Sequence, residues 1–332
     1  MISGFEQSPT TPTDPTPTTR TAPMSPTARN ATRRTLLTAG AATAATLLAG
    51  STAAQASDNT GAATGPGTGT DISAELRALE EQHSARVGVF AHHLGTKKTV
   101  VHRADELFPM CSAFKTLAAA AVLRDLDRHG EVLYRVVHYT EADLVDGSDQ
   151  TRAHLAEGMT IEQLADVAIR YSDNGAGNLL LRELGGPTAI TRFARSLGDR
   201  VTRLDRWETE LNSAEPDRIT DTTSPRAIAG SYGKLVLGDA LRRPDRDRLT
   251  AWLLNNTTSA ARFRAGLPAT WTIADKTGSG DYGTANDVGI AWTEAGDPVV
   301  LAVLTTKPTL PDAPYDNQLV ADTAKLVAAA VS

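Results

Sequence analysis

Only one of the 332 residues is cysteine, Cys111. No intrachain disulfide can form, and neither a cysteine-rich zinc motif nor a disulfide framework can be built. A basic excess is also missing: 33 Lys and Arg face 39 Asp and Glu, a formal net charge of −6. A nucleic-acid binder carries a basic face, so no nucleic-acid partner is expected. All seven histidines lie at or before His154, and no His-x-His-x-Asp pattern occurs. His92 and His93 are neighbours on an expected strand and would face opposite sides. A zinc centre and a histidine-based triad are disfavoured, and neither metal nor cofactor is expected. There is no internal repeat. The apolar share of 41% suits a packed core diluted by a polar N-terminus.

Residues 1–30 are rich in Thr, Pro and Ser without an apolar period and read as disordered. Thr32-Arg33-Arg34-Thr35-Leu36-Leu37 leads into an apolar, small-residue run from Ala39 to Ala49 that ends Ala54-Gln55-Ala56. A basic start, a modest apolar run and an A-x-A site describe a secretory signal. The Arg33–Arg34 pair suggests the twin-arginine route. A membrane anchor is the alternative, but the run is short for a span and diluted by Thr and Gly. A secreted protein without a stable membrane anchor is expected. Residues 57–70 read as a flexible Gly- and Thr-rich linker. Gly65 to Gly69 follow no strand, which excludes a nucleotide loop.

From Asp71 onward the chain reads as a folded domain. Asp71–His83 predicts an amphipathic helix, and Arg86–His92 and Lys98–His102 a hairpin across Leu94-Gly95-Thr96. The middle is mostly helical: Ser112–His129 capped by Gly130, Thr160–Tyr171, Ala176–Leu184, Pro187–Leu197 and Pro225–Leu237. Strands return at Asp287–Thr293 and Pro298–Thr305 before a last helix, about Tyr315–Ala330. The expectation is an α/β (α+β) fold. An antiparallel sheet is built from both chain ends with flanking helices, and an all-helical insertion carries a site at the seam.

Three short segments carry chemistry. Ser112 opens an alanine-rich helix with Lys115 one turn on, so hydroxyl and amine share a face beside the positive helix end. That suits an activated serine nucleophile. Tyr171-Ser172-Asp173-Asn174 sits at a predicted loop tip. Asp275-Lys276-Thr277-Gly278-Ser279-Gly280 lies just before the returning strands, where its glycines permit close approach. Each alone reads as well as a polar turn. Together, in this order, they match the Ser-x-x-Lys, Ser-Asp-Asn and Lys-Thr-Gly set of serine β-lactamases and penicillin-binding proteins.

The segment from Asp71 to Val331 resembles a class A serine β-lactamase throughout. Arg206-Trp207-Glu208-Thr209-Glu210-Leu211-Asn212 decides among relatives, since transpeptidases and carboxypeptidases generally lack this loop. The resemblance implies a cofactor-free, monomeric enzyme that opens small-molecule β-lactams through a serine acyl-enzyme. It also implies a catalytic domain over 71–332, with an α/β part at about 71–108 and 257–332 and a helical part at about 109–256. In that reading Ser112 attacks the lactam carbonyl. Lys115, or Glu208 acting through a water, is the base. Ser172 passes a proton to the leaving nitrogen beside Lys276, and Asn174 binds the substrate's acylamide. The N–H groups of Ser112 and Ser279 form an oxyanion hole, and Glu208 with Asn212 holds the deacylating water. Arg206 and Asp221 tie off the Ω-loop.

Two departures stand out. Ala285 occupies the slot where the family often places a carboxylate-binding arginine. Arg262 is expected to grip the carboxylate instead, with Thr277, Gly278 and Ser279 on the strand beside it. Gly147 stands where many relatives carry an aromatic ring, which predicts a looser cleft edge. Cys111 is expected to be a buried small hydrophobe, and its disulfide partner in some relatives is here Gly280. Two other readings, a peptidoglycan carboxypeptidase and a sensor that stays acylated, need no deacylating base. Glu208 and Asn212 argue against both.

Overall fold

The computed structural model describes residues 71–332. The signal and linker expected before Asp71 lie outside the described residues. The element order is α1 (Ser73–His83), β1 (Arg86–His93), β2 (Thr99–His102), β3 (Phe108–Pro109), α2 (Phe114–Ala121), β4 (Val136–Val137), α3 (Asp149–Ala153) and β5 (Met159–Thr160). Next come α4 (Ile161–Arg170), α5 (Asn174–Leu184), α6 (Thr188–Ser196), β6 (Thr222–Thr223), α7 (Pro225–Val236), α8 (Arg243–Leu254) and α9 (Phe263–Gly266). The chain closes with β7 (Thr272–Gly280), β8 (Thr284–Trp292), β9 (Pro298–Thr306) and α10 (Asn317–Val331). Among the described residues no helix is long and apolar enough to cross a membrane.

Five strands form an antiparallel sheet in the order β2-β1-β9-β8-β7. Arg86 pairs with Thr306 and His93 with Val299, so the first and last strands lie side by side. Both faces are covered, which is why β9 reads as an unbroken apolar run. Successive side chains on a strand point to opposite faces. Val299, Leu301 and Val303 accordingly join the core beneath α1 and α10, while Val300, Ala302 and Leu304 join the core on the helical side. There α7 lies directly on β9, β8 and β1.

The helical part is organised around α2, every residue of which is buried. A helix buried all round needs no polar face, and Ala118 to Ala121 let α4, α5 and α6 pack against it. The sequence extends this helix to His129, but it stops earlier. After Ala121 the backbone widens into a π-turn over Val122–Leu126 and breaks at Asp127. The Asp127 carboxylate accepts from the N–H groups of Val132 (2.7 Å) and Leu133 (3.2 Å), a side-chain to backbone competition that ends helices. A second correction concerns Lys276–Gly280. They do not precede the strands but form the end of edge strand β7, with Ser279 opposite Ala285.

Candidate active site

The segment before the nucleophile is held from three sides. Phe108 and Pro109 pair with Thr223 and Thr222. The Asn286 amide donates to Pro109 O (2.8 Å) and Met110 O (3.2 Å), and the Tyr232 hydroxyl donates to Ala113 O at 2.8 Å. Cys111 then adopts φ +47°, and Ser112 follows in a 3₁₀ turn that leads into α2. β7 lies against this turn: a β-carbon on Gly278 would stand 3.0 Å from Met110 O and 3.3 Å from Ser112 N.

Lys115, one turn later, is fully buried. A buried ammonium needs its three donors matched. They are met by Asn174 Oδ1 (2.6 Å), Ser172 O (2.8 Å) and Glu208 Oε1 (3.0 Å). A β-carbon on Gly177 would stand 2.9 Å from Lys115 Cε, so α5 presents a glycine where the lysine stem passes.

Asp173 builds the corner that holds Ser172 and Asn174. Its carboxylate caps α5 through Ala176 N (2.8 Å) and accepts from Gln150 N and the Thr151 hydroxyl. The helix therefore begins at Asn174, two residues before the sequence-based start. Ser172 adopts φ +59°, and its hydroxyl oxygen accepts from Lys276 Nζ at 3.0 Å. Lys276 also donates to Thr277 O at 2.8 Å. Burial, reinforced by the charges of Lys115 and Arg262, pushes its ammonium well below the usual lysine range.

The Ω-loop supplies the carboxylate. Asp221, almost wholly buried, accepts from Arg206 Nε (2.6 Å), Arg206 N (3.0 Å) and Asp205 N (2.7 Å). Its own carbonyl accepts from Met110 N at 2.9 Å. Asn178 of α5 grips Glu208 by both backbone groups, each at 2.9 Å. Glu208 Oε2 accepts from Asn212 Nδ2 (2.5 Å), and Oε1 accepts from the Ser112 hydroxyl at 3.1 Å. The sequence left Lys115, or Glu208 acting through a water, as the base, and the structure brings Glu208 Oε1 within hydrogen-bond distance of both Ser112 Oγ and Lys115 Nζ. Among the described residues, Asn212 Oδ1 is buried with no hydrogen-bond partner.

On the opposite wall, Arg262 is only 3% exposed. Nη1 donates to Gly278 O (2.7 Å) and Asn286 O (2.8 Å), and Nη2 to the Ser279 hydroxyl (2.6 Å). Nε donates to Asn317 Oδ1 at 2.7 Å. Thr277, two residues before Ser279 and on the same strand face, shares a 2.5 Å hydrogen bond with Thr258. Ala285 is buried and offers nothing to an anion.

The expected residues thus fall into one bonded cluster (Ser112, Lys115, Ser172, Asn174, Glu208, Asn212, Lys276) and a second along β7 (Thr277, Gly278, Ser279, Arg262). Asn174, expected to face substrate, has both amide ends engaged: Nδ2 donates to Asp146 O at 2.8 Å. Its N–H also donates to Gly147 O at 2.8 Å, so the cleft edge at Gly147 lacks a ring yet is tied down. Cys111 is buried, and burial raises its thiol above the ordinary range. Sequence reasoning gave no role to Asn178, Thr258, Asn286 or Asn317. Only Asn178, four residues after Asn174 on the same helix face, carried a local signal.

A family model described as the beta-lactamase enzyme family matches residues 71–331. A beta-lactamase of Streptomyces cellulosae is 60% identical over 289 residues, 86% of this chain and 92% of that protein. Beta-lactamase AST-1 of Nocardia asteroides is 52% identical over 249 residues, 75% and 80% of the two chains. The solved beta-lactamase of Streptomyces albus G superposes with a TM-score of 0.77 at 60% identity, covering 79% of this chain and 99% of that one. With a family model spanning the segment that holds both clusters and relatives 60% identical over most of the chain, the chain belongs to the β-lactamase enzyme family.

Proposed function

We propose that the chain hydrolyses the β-lactam amide of penicillin- and cephalosporin-type antibiotics, with Ser112 as nucleophile. The observation that carries this reading is Glu208 Oε1, which stands 3.1 Å from Ser112 Oγ and 3.0 Å from Lys115 Nζ. As Ser112 Oγ adds to the lactam carbonyl, its proton passes to Glu208, whose Oε1 is held in place by Lys115 Nζ. The oxyanion is met by the N–H groups of Ser112 and Ser279 across the Gly278 contact. The C–N bond then breaks, and Ser172 gives the ring nitrogen its proton and recovers one from Lys276.

The ester left on Ser112 is cleared by water. Glu208 first gives up the proton it took from Ser112, which restores the one Lys276 supplied through Ser172. As a carboxylate again it takes a proton from the water, whose oxygen adds to the ester carbonyl, and it returns that proton to Ser112 Oγ as the ester C–O bond breaks. Asn212 Oδ1, without a partner among the described residues, accepts the water's other hydrogen. A carboxypeptidase or a sensor has no use for a carboxylate buried beside the nucleophile and pinned by Asn178 and Asn212.

Steady-state and single-turnover assays with a chromogenic cephalosporin test this on wild type and Glu208→Gln. The wild type should turn over many times. The variant should lose at least ~10³-fold in kcat and accumulate a Ser112 adduct visible by mass spectrometry. Stoichiometric acylation of the wild type would sink the hydrolase reading, and normal turnover by the variant would sink the mechanism.

A further inference from the structure

The segment from Lys307 to Asp316 joins β9 to α10 and is closed at its neck. Lys307 Nζ stands 2.9 Å from Asp316 Oδ2, so the two ends of the loop are held by one ion pair. Along the way Tyr282 N donates to Pro311 O (3.0 Å) and Gly283 N to Ala313 O (3.1 Å). This fixes the loop to the turn that follows β7.

Asp316 does more than close the loop. Its Oδ1 accepts from Leu319 N at 3.0 Å, which caps α10. Its Oδ2 also meets His83 Nδ1, from the last turn of α1, at 2.8 Å. One carboxylate thus joins α1, the residue that follows β9 and the start of α10. Burial works against its charge, but the Lys307 ammonium, the Leu319 N–H and His83 together hold the carboxyl down to about 2.

Its two sequence neighbours are what bring Asp316 to the site. The Tyr315 ring lies 5.6 Å from the Arg262 guanidinium, and Asn317 Oδ1 accepts from Arg262 Nε at 2.7 Å. From the sheet side Gly278 O and Asn286 O hold Nη1 and the Ser279 hydroxyl holds Nη2. The Nε edge is held from the other side by Asn317, the first residue of α10, so its place depends on where that helix begins. A planar fork that must meet a carboxylate tolerates little rotation.

We infer that Asp316 is a positioning residue for Arg262: by fixing Tyr315 and Asn317 around the guanidinium, it sets the aim of Nη2 toward the substrate's carboxylate. The inference rests on the reading of Arg262 as the carboxylate anchor.

Three kinetic measurements and one spectroscopic one test it on the folded protein. Asp316→Ala should raise KM for a penicillin about tenfold while kcat stays within about twofold, because binding and not chemistry is disturbed. Asp316→Asn, which keeps an acceptor for Leu319 N but loses the charge facing Lys307, should fall between, at about threefold. In an Arg262→Ala background, Asp316→Ala should add nothing to KM, since the two act as one unit. Independently of substrate, the NMR resonance of Arg262 Nε–H should shift or broaden in Asp316→Ala and Asp316→Asn.

An unmoved Nε–H resonance in both variants overturns the inference, as does an unchanged KM with only a lower melting temperature. If Arg262→Ala itself leaves KM unchanged while the resonance moves in the Asp316 variants, the carboxylate-anchor reading has failed and the positioning has not.

Discussion

Gly280 and Asn212 touch across the floor of the cleft. A β-carbon on Gly280 would stand 2.5 Å from Asn212 O and 2.8 Å from Cys111 Sγ, and Asp281 N donates to the same Asn212 carbonyl at 2.9 Å. The edge of β7 and the Ω-loop are therefore spaced by the absence of a single side chain.

Gly280→Ala should force that spacing open. The clash is with backbone, which cannot swing aside, so a cost of about 1–3 kcal/mol in unfolding free energy is expected. Asn212 also holds Glu208, so deacylation should slow more than acylation. Thermal denaturation and pre-steady-state bursts report the two effects. A variant that melts and turns over like the wild type would show that the contact is slack.

Asp221→Ala should release the Ω-loop. The buried carboxylate answers three N–H groups of Asp205 and Arg206, and its loss leaves the half-buried guanidinium with only the Ser213 hydroxyl and Glu215. Removing one partner of such a pair costs about 3–5 kcal/mol. Denaturant titration measures the loss, and limited proteolysis should now cut between Arg206 and Asp221. Resistance to protease together with a loss under about 1 kcal/mol would reduce the pair to an ordinary surface contact.

Acid should weaken the Asp316 junction in a defined window. The carboxyl's ordinary value is 3.8, and the fold holds it at about 2. A depressed carboxylate contributes in full above its unfolded value and loses that contribution as pH falls through the folded one. The melting temperature of the wild type should therefore drop faster between pH 3.8 and 2 than that of Asp316→Asn, which has no carboxyl to titrate at that position. Parallel curves would mean that Lys307 and His83 do not stabilise the charge.

How much of this was readable beforehand depended on distance along the chain. Ser112 and Lys115, Ser172 to Asn174, and Glu208 to Asn212 each lie in short contiguous segments, and it was those segments together that carried the family resemblance from which their roles were read. The sheet was legible from Val87-Gly88-Val89 and the run Val299 to Leu304, where burial on two faces leaves an apolar signature. Asn286, Thr258 and Asn317 were silent because each meets its partner across the fold, and an isolated Asn or Thr has no local mark of its task. Lys276 to Gly280 misled in the opposite way. Two glycines argue for a loop, yet full pairing with Thr284 to Val288 overrides that preference. Asp127 ended a helix that propensity would have continued, because its acceptors serve Val132 and Leu133.

The pairing of Arg86 with Thr306 has a temporal meaning. β9 lies between β1 and β8, and β7 reaches the rest of the sheet only through β8. On a chain made from its N-terminus, Ser112 and Glu208 emerge long before the wall that would face them. Lys276, Ser279 and Arg262 cannot come to rest until β9 has slid in beside a strand made more than two hundred residues earlier, the kind of distant pairing that folds slowly. The machinery for attacking a substrate is thus withheld until synthesis is almost finished, and a chain cut short before β9 carries the nucleophile with no edge strand anchored beside it.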